Sequence, residues 1–526
     1  MSETPMLDRF LHGCAAGEIA SGAPDTGALA PALLVPLRVS RWRDAATLAR
    51  SIGLRFSAFW ASERADGLEV FSVLEADGRH VVLRAMVAEG HELLSLASVY
   101  PAADRPERHA HDLLGLSLAE QPDSRRWLRH AAWSAHEYPL RREFPVQHDP
   151  GPVPPDEHYP FLVAQGAGVV EIPVGPVHAG IIEPGHFRFL AVGETVLNLE
   201  ERLGYVHKGI EKIAVGRDPA GLSRLAGRVS GDATVAHTWA ACMALERAVS
   251  VEPPARSICL RALLLERERV ANHVGDIGGI CTDVGFSFGQ YQLARMREDW
   301  QRLSGTVFGH RLMMDQVVPG GVASDVSPHQ VAALASQARE FAGEFRGIIE
   351  QLEASESLED RLMTTGRLSP ELAGHLGALG YVGKASGYGY DVRAHSPHSP
   401  YDRFPITVPV YRAGDVAARA RVRAEETLAS LALIGQLLDA LPEGRVLGEW
   451  PDMAGAGEGV GIVEAWRGEL LSYVALDEQG RVARYYPRDP SLLNWPALEL
   501  LIQGNIVPDF PVCNKSINGS YSGQDL

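Results

Sequence analysis

The chain has 526 residues, more than a single hydrophobic core usually supports, so two or more domains are expected. Its hydrophobic share of 46% and its charged share of 22% are typical of a globular protein. The formal net charge of -17 argues against a nucleic-acid binder, which would present a basic face, and against direct binding to an anionic membrane surface.

The sequence contains no predicted membrane-spanning helix. The best candidate, residues 428–439, is shorter than the roughly 18 residues that a span requires, and Ser430 and Gln436 interrupt it. The first residues also lack the basic and apolar segments of a secretory signal. We therefore expect a cytoplasmic protein that lies at the inner face of the cell membrane only through partner subunits.

The cysteines are scattered along the chain and form no Cys-x-x-Cys pair. Their spacing argues against a zinc ribbon or an iron–sulfur motif contained in this chain. An odd number of thiols in a reducing compartment predicts free, mostly buried cysteines. The five residues are Cys14, Cys242, Cys259, Cys281 and Cys513.

A proline-rich stretch over residues 144–158 predicts a semi-stiff linker between two domains. Before it, residues 42–52 have the pattern of an amphipathic helix. Residues 68–74 and 80–87 predict a strand pair around the turn Asp77-Gly78. We therefore predict three parts: a small α+β domain over 1–145, a linker over 146–160 and a larger domain over 161–526.

The larger domain is predicted to be mainly α-helical with small β-sheets at both ends, which gives an α+β fold for the whole chain. Short strands are predicted at 168–173 and 186–193, and late strands at 460–464 and 470–476. Helical periodicity dominates between them, over residues 233–249, 256–276, 287–312, 328–352 and 412–440. The glycine-rich residues 455–461 lack the G-x-G-x-x-G spacing and the strand–helix–strand context of a nucleotide-binding loop.

Six motifs of the larger domain occur in the order found in one protein family. They are GPVHAGIIEPGHFRF at 175–189, YVHKGIEK at 205–212, MDQVVPGGV at 314–322, GYDVR at 389–393, GDV at 414–416 and GIVEAWRGE at 461–469. Together they resemble the large subunit of energy-converting [NiFe] hydrogenases of the formate-hydrogenlyase and hydrogenase-4 type. They equally resemble the related quinone-side large subunit of respiratory complex I.

The first domain extends this resemblance over nearly the whole chain. Its motifs at 99–104, 107–115, 122–126 and 139–145 resemble the small α+β subunit that accompanies the large subunit in complex I. In hydrogenase-4-like complexes the two parts are similarly fused. Fold does not fix chemistry, so the site residues are considered separately.

A [NiFe] centre needs four thiolates, which the family supplies as two Cys-x-x-Cys pairs. The resemblance places these positions at Ser230, Ala233, Ser520 and Gly523, and none is a cysteine. We therefore predict no metal, no [NiFe] cluster and no hydrogen chemistry. A different metal on His178, His186, His237 and Cys513 is the alternative, although no known ligand spacing supports it.

The complex I resemblance implies a quinone head-group site with one histidine and one tyrosine. The matching positions here are Ile182 and Gly231, so both residues are absent. The same segments offer other titratable groups that could handle protons or bind a polar head group. These candidate catalytic residues are His178, Glu183, His186 and Asp232.

Each candidate also has a purely structural interpretation. Asp232 precedes a predicted helix and could cap it, with Ser230 in the same turn. His237 lies on an otherwise apolar helix, where a hydrogen-bonded core histidine is the usual case. Glu183 matches the glutamate that passes protons in the hydrogenases of the family. Its structural alternative is a buried carboxylate paired with an arginine.

Further candidates follow from helical spacing and from the family resemblance. Glu266, Arg269 and His273 share one helical face. Such a stripe is usually solvated, but the apolar neighbours and the family favour an interior position near Ser230, His237 and Ser520. The resemblance places the segment 207–212 against a partner that carries the terminal iron–sulfur cluster, so we expect contacts from His207, Lys208, Glu211 and Lys212. Residues 390–393 predict an internal Asp–Arg pair.

Two hypotheses on function follow. In the first, the chain is a subunit of a membrane-associated oxidoreductase that passes electrons from a partner's iron–sulfur cluster to a quinone or similar acceptor, coupled to ion translocation. The chain itself would hold no cofactor, although it could bind quinone, and its partners would include an iron–sulfur subunit and ion-pumping membrane subunits. In the second, it is a non-catalytic coupling or scaffold subunit of such a complex. The sequence does not identify the electron donor, the acceptor or the ion.

Overall fold

The computed structural model describes residues 5–130, 133–134, 136–149, 159–163, 166–179, 182–451 and 455–526. Helices, mostly after residue 205, combine with several small sheets, which confirms the predicted α+β fold. Part of the predicted linker, residues 150–158, lies outside the described residues, so its boundaries stay a prediction. Every helix in the described part of the chain is too short or too polar to span a bilayer.

The first part of the chain is a mixed sheet covered by helices. Its sheet has the strand order β1-β4-β3-β2, in which β1 runs parallel to β4 and the other pairs are antiparallel. The predicted helix and strand pair are confirmed, with the turn at Asp77-Gly78. The elements are α1 Met6–Ala16, β1 Leu33–Pro36, α2 Trp42–Ile52, β2 Arg55–Arg64, β3 Gly67–Ala76, β4 Arg79–Ala88, β5 Glu92–Leu94, α3 Asp104–Leu114 and β6 Ser117–Ala119.

A three-stranded antiparallel sheet opens the larger part and leads into its helices. The predicted strands 168–173 and 186–193 are confirmed, and a third strand follows them. The elements up to the longest helix are β7 Val169–Val174, β8 His186–Val192, β9 Thr195–Arg202, α4 Ile210–Ala214, α5 Pro219–Ala226, α6 Thr234–Ala248 and α7 Ala255–Asp283.

The centre of the larger part is α7, which is buried on nearly all sides because later helices surround it. The remaining elements include the other predicted helices, although α8 ends earlier than predicted, since Gly309 takes a left-handed conformation with φ 77°. They are α8 Ser287–Phe308, β10 Val317–Val318, β11 Gly321–Val322, α9 Pro328–Glu353, α10 Glu356–Leu362, α11 Pro370–Leu376, α12 Gly380–Ala385, α13 Val392–His395, α14 Val416–Asp439, β12 Gly457–Ala465, β13 Gly468–Leu476, β14 Val482–Arg488, α15 Ser491–Leu501, α16 Phe510–Ile517 and α17 Tyr521–Asp525.

The two parts share a core, because the sheet of the first part packs on the late sheet β12-β13-β14. The ring of Trp60 stacks on that of Phe71 at 4.9 Å and lies 5.0 and 5.4 Å from the rings of Tyr473 and Tyr486. All four side chains are buried. The first part is thus fixed against the end of the chain rather than tethered by a linker alone.

The glycine-rich segment that fits no nucleotide-binding loop has a packing role. Alternate residues of β12 lie against the backbone of α6, so a Cβ atom at Gly461 would be 2.0 Å from the carbonyl oxygen of Ala240. At Gly459 the corresponding distance, to the oxygen of Ala244, is 2.1 Å. The strand and the helix therefore touch without an intervening layer of side chains.

We predict that Gly461→Ala lowers the free energy of unfolding by about 1–3 kcal/mol, because the added methyl group overlaps the α6 backbone. The matched control is Gly435→Ala inside α14, where no atom lies within 4 Å of the added Cβ. That change should stabilise the protein by up to about 1 kcal/mol through helix propensity. Urea unfolding followed by circular dichroism measures both, and equal effects would contradict the packing role.

Candidate functional site

The segment before helix α6 holds a carboxylate in an ion pair with a residue far away in the sequence. Asp232 lies in a short 3-10 turn, Gly231–Ala233. Its two oxygens accept hydrogen bonds from the guanidinium of Arg467 at 3.0 and 2.6 Å. Burial favours the neutral acid, but Arg467 outweighs burial and holds the pKa of Asp232 below its ordinary value. Asp232 is therefore an anion at neutral pH, and its side chain stays 34% exposed.

The prediction that Asp232 caps helix α6 is wrong. The first backbone N–H groups of α6, at Val235 and Ala236, donate to the carboxylate of Glu268 at 2.7 and 3.1 Å. Glu268 comes from the neighbouring helix α7, and burial raises its pKa to about 8. The 3-10 turn keeps Asp232 ahead of these N–H groups, so its carboxylate bonds with Arg467 instead.

Three serine hydroxyls form a hydrogen-bonded chain that ends at Asp232. The hydroxyl of Ser230 donates to Asp232 and accepts a hydrogen bond from the hydroxyl of Ser520 at 3.1 Å. The hydroxyl oxygens of Ser520 and Ser522 lie 3.3 Å apart. All three serines are buried. The fold thus brings together Ser230 and Ser520, both predicted to lie at the site, although they come from distant parts of the sequence.

Position 523, which matches another family cysteine, has no space for a side chain. A Cβ atom at Gly523 would lie 2.6 Å from Cγ of Asp489. The Asp489 carboxylate is fixed by Nε2 of His237 at 2.9 Å and by the backbone N–H of Ser491 at 2.8 Å. His237 is therefore a buried histidine with a carboxylate partner, which agrees with the core interpretation.

Glu183 is exposed, so the expectation of a buried carboxylate is wrong. It lies in the connection between β7 and β8, where the neighbouring Val177 and Ile182 are also exposed. Its Oε2 accepts a hydrogen bond from the backbone N–H of Ser522 at 3.1 Å, rather than from the arginine expected as the alternative. Val177 and Ile182 therefore mark an exposed apolar surface and not an interior. Glu183 nevertheless lies beside the last serine of the hydroxyl chain.

Helix α17 places a further carboxylate near this group. Asp525 accepts hydrogen bonds from the backbone N–H groups of Gly204 and Val206 at 2.9 and 3.1 Å. Burial raises the pKa of Asp525 to about 7, and the negative charge of Glu183 acts in the same direction. Asp525 therefore exchanges a proton near neutral pH, a property that its position in the sequence did not indicate.

His178 and His186 hydrogen-bond within the connection between β7 and β8. Nε2 of His178 lies 2.8 Å from the carbonyl oxygen of Gly185, and Nδ1 of His186 lies 3.2 Å from that of Gly175. Burial lowers the pKa of His186, which favours the neutral ring. Both rings thus hold the base of this connection in shape, and their role in proton chemistry stays a prediction.

The side chains proposed as an alternative metal site have other partners. The three histidines bond as described above, and Cys513 lies near Gly366 and Arg419. Burial raises the pKa of the Cys513 thiol to about 12, so it is not a thiolate at neutral pH. Among the residues that the structure describes, no group of three or more His, Cys, Asp or Glu side chains is arranged to hold a metal ion. All the cysteines are free and buried, as predicted.

The predicted stripe on α7 lies in the interior, because Glu266, Arg269 and His273 are all buried. Arg269 binds Glu266 at 3.2 Å, and Nε2 of His273 lies 2.7 Å from the carboxylate of Glu426. Burial lowers the pKa of His273 to about 4, so its ring is neutral and donates to Glu426. The solvated interpretation of this stripe is therefore wrong.

The stripe belongs to a larger network of buried ion pairs. The ammonium of Lys384 lies 2.6 Å from the carboxylates of both Asp391 and Glu426, and 3.4 Å from that of Glu464. Arg393 pairs with Asp391 at 2.8 Å, which confirms the predicted Asp–Arg pair. Burial, with Asp391 nearby, raises the pKa of Glu464. The network therefore links α7, α12, α14 and β12 through charges.

The prediction that Glu211 contacts a partner subunit is wrong, because its side chain is buried inside the chain. Its carboxylate lies 2.5 Å from Nε2 of His109 on α3 and 2.6 Å from the guanidinium of Arg484 on β14. Lys212 likewise donates to the backbone oxygen of Arg141 at 2.5 Å. The family motif at this point therefore binds the fused first part of the same chain.

His207 and Lys208 also have contacts within the chain. Nδ1 of His207 lies 2.7 Å from the carbonyl oxygen of Asp525. The ammonium of Lys208 donates to the carbonyl oxygens of Arg228 and Val229 at 3.0 and 2.7 Å, directly before Ser230. Lys208 stays exposed, so a partner contact through it remains a prediction.

Residues that the sequence did not single out complete the site: Arg467, Glu268, Asp489 and Asp525. A signal existed for Arg467 alone, because it lies in the motif at 461–469 between two glutamates of an otherwise apolar segment. The partners of the other three come from distant segments, which no spacing along the chain indicates.

Comparison with known families matches three separate ranges of the chain. Residues 35–150 match the 30 Kd subunit of the respiratory-chain NADH dehydrogenase, and residues 283–456 match its 49 Kd subunit. Residues 208–275, which include the serine–aspartate turn, match the nickel-dependent hydrogenases.

Individual relatives match between 66% and 87% of this chain. Hydrogenase-4 component G of Escherichia coli is 32% identical over 462 residues, which is 87% of this chain and 80% of the relative. Formate hydrogenlyase subunit 5 of Escherichia coli is 31% identical, over 82% of this chain and 77% of the relative. An NADH-quinone oxidoreductase subunit of Dehalococcoides mccartyi is 30% identical, over 66% of this chain and 95% of the relative.

A solved structure, the archaeal membrane-bound sulfane sulfur reductase, has a chain that matches with a TM-score of 0.65 and 26% identity. The match covers 68% of this chain and 99% of that one. The small α+β part and the helical part around α7 thus define a fused large subunit of the hydrogenase and complex I class. The chain belongs to the family that includes hydrogenase-4 component G, formate hydrogenlyase subunit 5 and the fused C/D subunit of NADH-quinone oxidoreductase.

The residues present do not fit the [NiFe] centre of the hydrogenases in this family. Serine hydroxyls are hard, high-pKa ligands, and alanine and glycine offer no ligand atom. Ser230 and Ser520 also bond to each other and to Asp232, while the carboxylate of Asp489 occupies the space beside Gly523. A nickel centre of this kind therefore has no ligands at these positions.

We predict that Glu211→Gln lowers the free energy of unfolding by about 3–5 kcal/mol at pH 7, because it leaves buried Arg484 without its carboxylate. Burial opposes ionisation of Glu211, but Arg484 and His109 outweigh burial and lower its pKa to about 2. A lowered carboxyl pKa stabilises the fold above the ordinary pKa, and this contribution disappears as the pH falls towards 2. The difference between wild type and variant should therefore shrink at pH 3 in urea unfolding. Unchanged stability combined with loss of a partner subunit would support the original interface prediction.

Proposed function

We propose that this chain is the large subunit of a membrane-associated oxidoreductase complex without a [NiFe] centre. In this proposal, electrons come from an iron–sulfur cluster in a partner subunit and reduce a quinone or similar acceptor, with coupling to ion translocation by membrane subunits. The relatives named hydrogenase and NADH-quinone oxidoreductase subunits support the subunit role. The acceptor and the coupling are our inference from the site.

The observation that carries the proposal is the ion pair of Asp232 and Arg467 at the family's active-site position. The carboxylate is partly exposed at the chain surface, so a polar head group held against this surface can reach it. The guanidinium donates hydrogen bonds and carries the positive charge that a reduced, anionic oxygen requires. The pair therefore offers both a proton-accepting and an anion-stabilising group, while thiolate chemistry has no ligand here.

The surroundings of this pair suit an acceptor that lies between two subunits. The nearby connection between β7 and β8 exposes Val177 and Ile182 at 82% and 49%, which is unusual for large apolar side chains. A partner that covers this surface would exclude water from the site. In such a site Glu183 and Asp525 would supply protons from the side, and His178 and His186 would keep the connection in shape.

A second candidate function is a coupling subunit that binds no acceptor. The buried network around Lys384 favours it, because one ammonium there binds carboxylates of α14 and of β12, the strand that leads into the hairpin with Arg467. In that case Asp232 and Arg467 would transmit a change of charge from the partner's cluster to the membrane subunits. The two candidates differ in whether an acceptor is reduced.

The deciding experiment purifies the intact complex from its source and measures metals and quinone reductase activity. We expect iron, no stoichiometric nickel, and activity that falls at least about tenfold in Asp232→Asn, because the variant loses a proton-accepting group. Glu183→Gln should also lower activity. The control is Glu194→Gln, an exposed glutamate in the turn between β8 and β9, which should retain full activity.

The outcomes separate the candidates. Stoichiometric nickel would overturn the proposal that the centre is absent. A complex that assembles, contains iron and reduces no acceptor would favour the coupling subunit. Full quinone reductase activity in Asp232→Asn would show that the acceptor is reduced without this residue.

A further inference from the structure

The serines beside Asp232 do more than fill space left by the family's cysteines. A hydroxyl that replaces a buried thiolate must find partners, because an unbonded buried hydroxyl is costly. Ser230 and Ser520 satisfy each other, and Ser522 lies within 3.3 Å of Ser520 on the far side. The result is a line of three buried hydroxyls that ends on Asp232. At its other end the carboxylate of Glu183 accepts a hydrogen bond from the backbone N–H of Ser522, which places Glu183 beside this serine.

We propose that Ser230, Ser520 and Ser522 form a proton relay that carries protons from the Glu183 end to Asp232. This inference rests on the proposed function, in which a quinone-like acceptor is reduced beside Asp232. The family resemblance marks Ser230 and Ser520 only as positions of lost metal ligands, and it does not mark Ser522. The relay gives all three serines a role.

The orientation of the hydroxyls suits this direction of transfer. Ser520 donates to Ser230, and Ser230 donates to Asp232, so two successive O–H bonds already point at the anion. In one transfer each hydroxyl oxygen receives a proton from the previous group and passes its own proton on. The serines are unchanged at the end, and Asp232 has gained one proton that the Glu183 end has lost.

Reduction of the acceptor supplies the driving force. Two electrons from the partner's cluster place negative charge on the acceptor oxygens beside Asp232, and this charge raises the proton affinity of the carboxylate. Asp232 then takes a proton from Ser230 and gives it to an acceptor oxygen, so two such transfers turn a quinone into a quinol. The guanidinium of Arg467 can stabilise the negative charge on the acceptor oxygens, because it already binds the carboxylate of Asp232 with both terminal nitrogens.

A purely structural role explains only one of the three serines. Ser520 caps α17, since its hydroxyl also accepts from the backbone N–H of Gly523 at 2.9 Å. Ser230 caps no helix, and its hydroxyl bonds only along the relay among the hydrogen bonds of the described residues. A substitution of Ser230 therefore tests the relay without removing a helix cap.

The test compares variants of the intact complex in quinone reductase assays. Ser230→Ala removes the last hydroxyl before Asp232, and we expect kcat to fall at least about tenfold while KM for the acceptor stays unchanged. Ser520→Ala should behave similarly, whereas Ser520→Thr keeps both the hydroxyl and the cap and should retain activity. The matched control is Ser223→Ala, which removes another buried hydroxyl, bonded to Ala220 within α5.

The solvent isotope effect distinguishes a relay from a structural role. If proton delivery limits Ser230→Ala, its kcat should fall more in heavy water than that of the wild type or of Ser223→Ala. Urea unfolding of each variant shows whether the fold is intact. A folded Ser230→Ala variant with wild-type kcat and isotope effect would overturn the relay and leave the proposed function standing. A wild-type complex that reduces no acceptor would overturn both.

Discussion

Two glutamates that face each other across one hairpin impose the main constraint on this fold. Glu464 on β12 and Glu469 on β13 are directly opposite, and both are buried. A buried carboxylate is costly without a cation. The ammonium of Lys384, from the larger part, lies 3.4 Å from the carboxylate of Glu464. The guanidinium of Arg55, from the first part, lies 2.8 Å from the carboxylate of Glu469. The pairs thereby hold both parts against the turn that carries Arg467.

The sequence predicted the fold class, the strand pair of the first part and the long helices, because each shows its own periodicity. It did not predict β2, whose residues are buried on both faces and therefore lack alternation. It also did not predict the packing role of the glycine-rich start of β12, since the contact with α6 involves residues about 200 positions away. Local patterns thus predicted elements, while contacts between distant elements stayed hidden.

At the candidate site, too, local motifs could be read from the sequence while contacts between distant residues could not. Family motifs located Ser230, Asp232, Ser520 and Glu183, and the fold brings these four together. Their roles were harder to predict, because the role of a charged group or a hydroxyl depends on its hydrogen-bond and ion-pair partners. Spacing along the sequence does not reveal these partners. Glu268 replaces Asp232 as the cap of α6, and Glu211 binds His109 rather than another subunit. The loss of four thiolates was visible at once, since residue identity alone decides it.

The direct contact between β12 and α6 also has a mechanical consequence. Because backbone touches backbone at Gly459 and Gly461, no side chains lie between the two elements that could rearrange to absorb a shift. The hairpin at one end of β12 carries Arg467, and the turn at the start of α6 carries Asp232. Strand β12 and helix α6 therefore form one rigid unit. The two residues of the ion pair therefore sit on elements that are held at a fixed distance from each other.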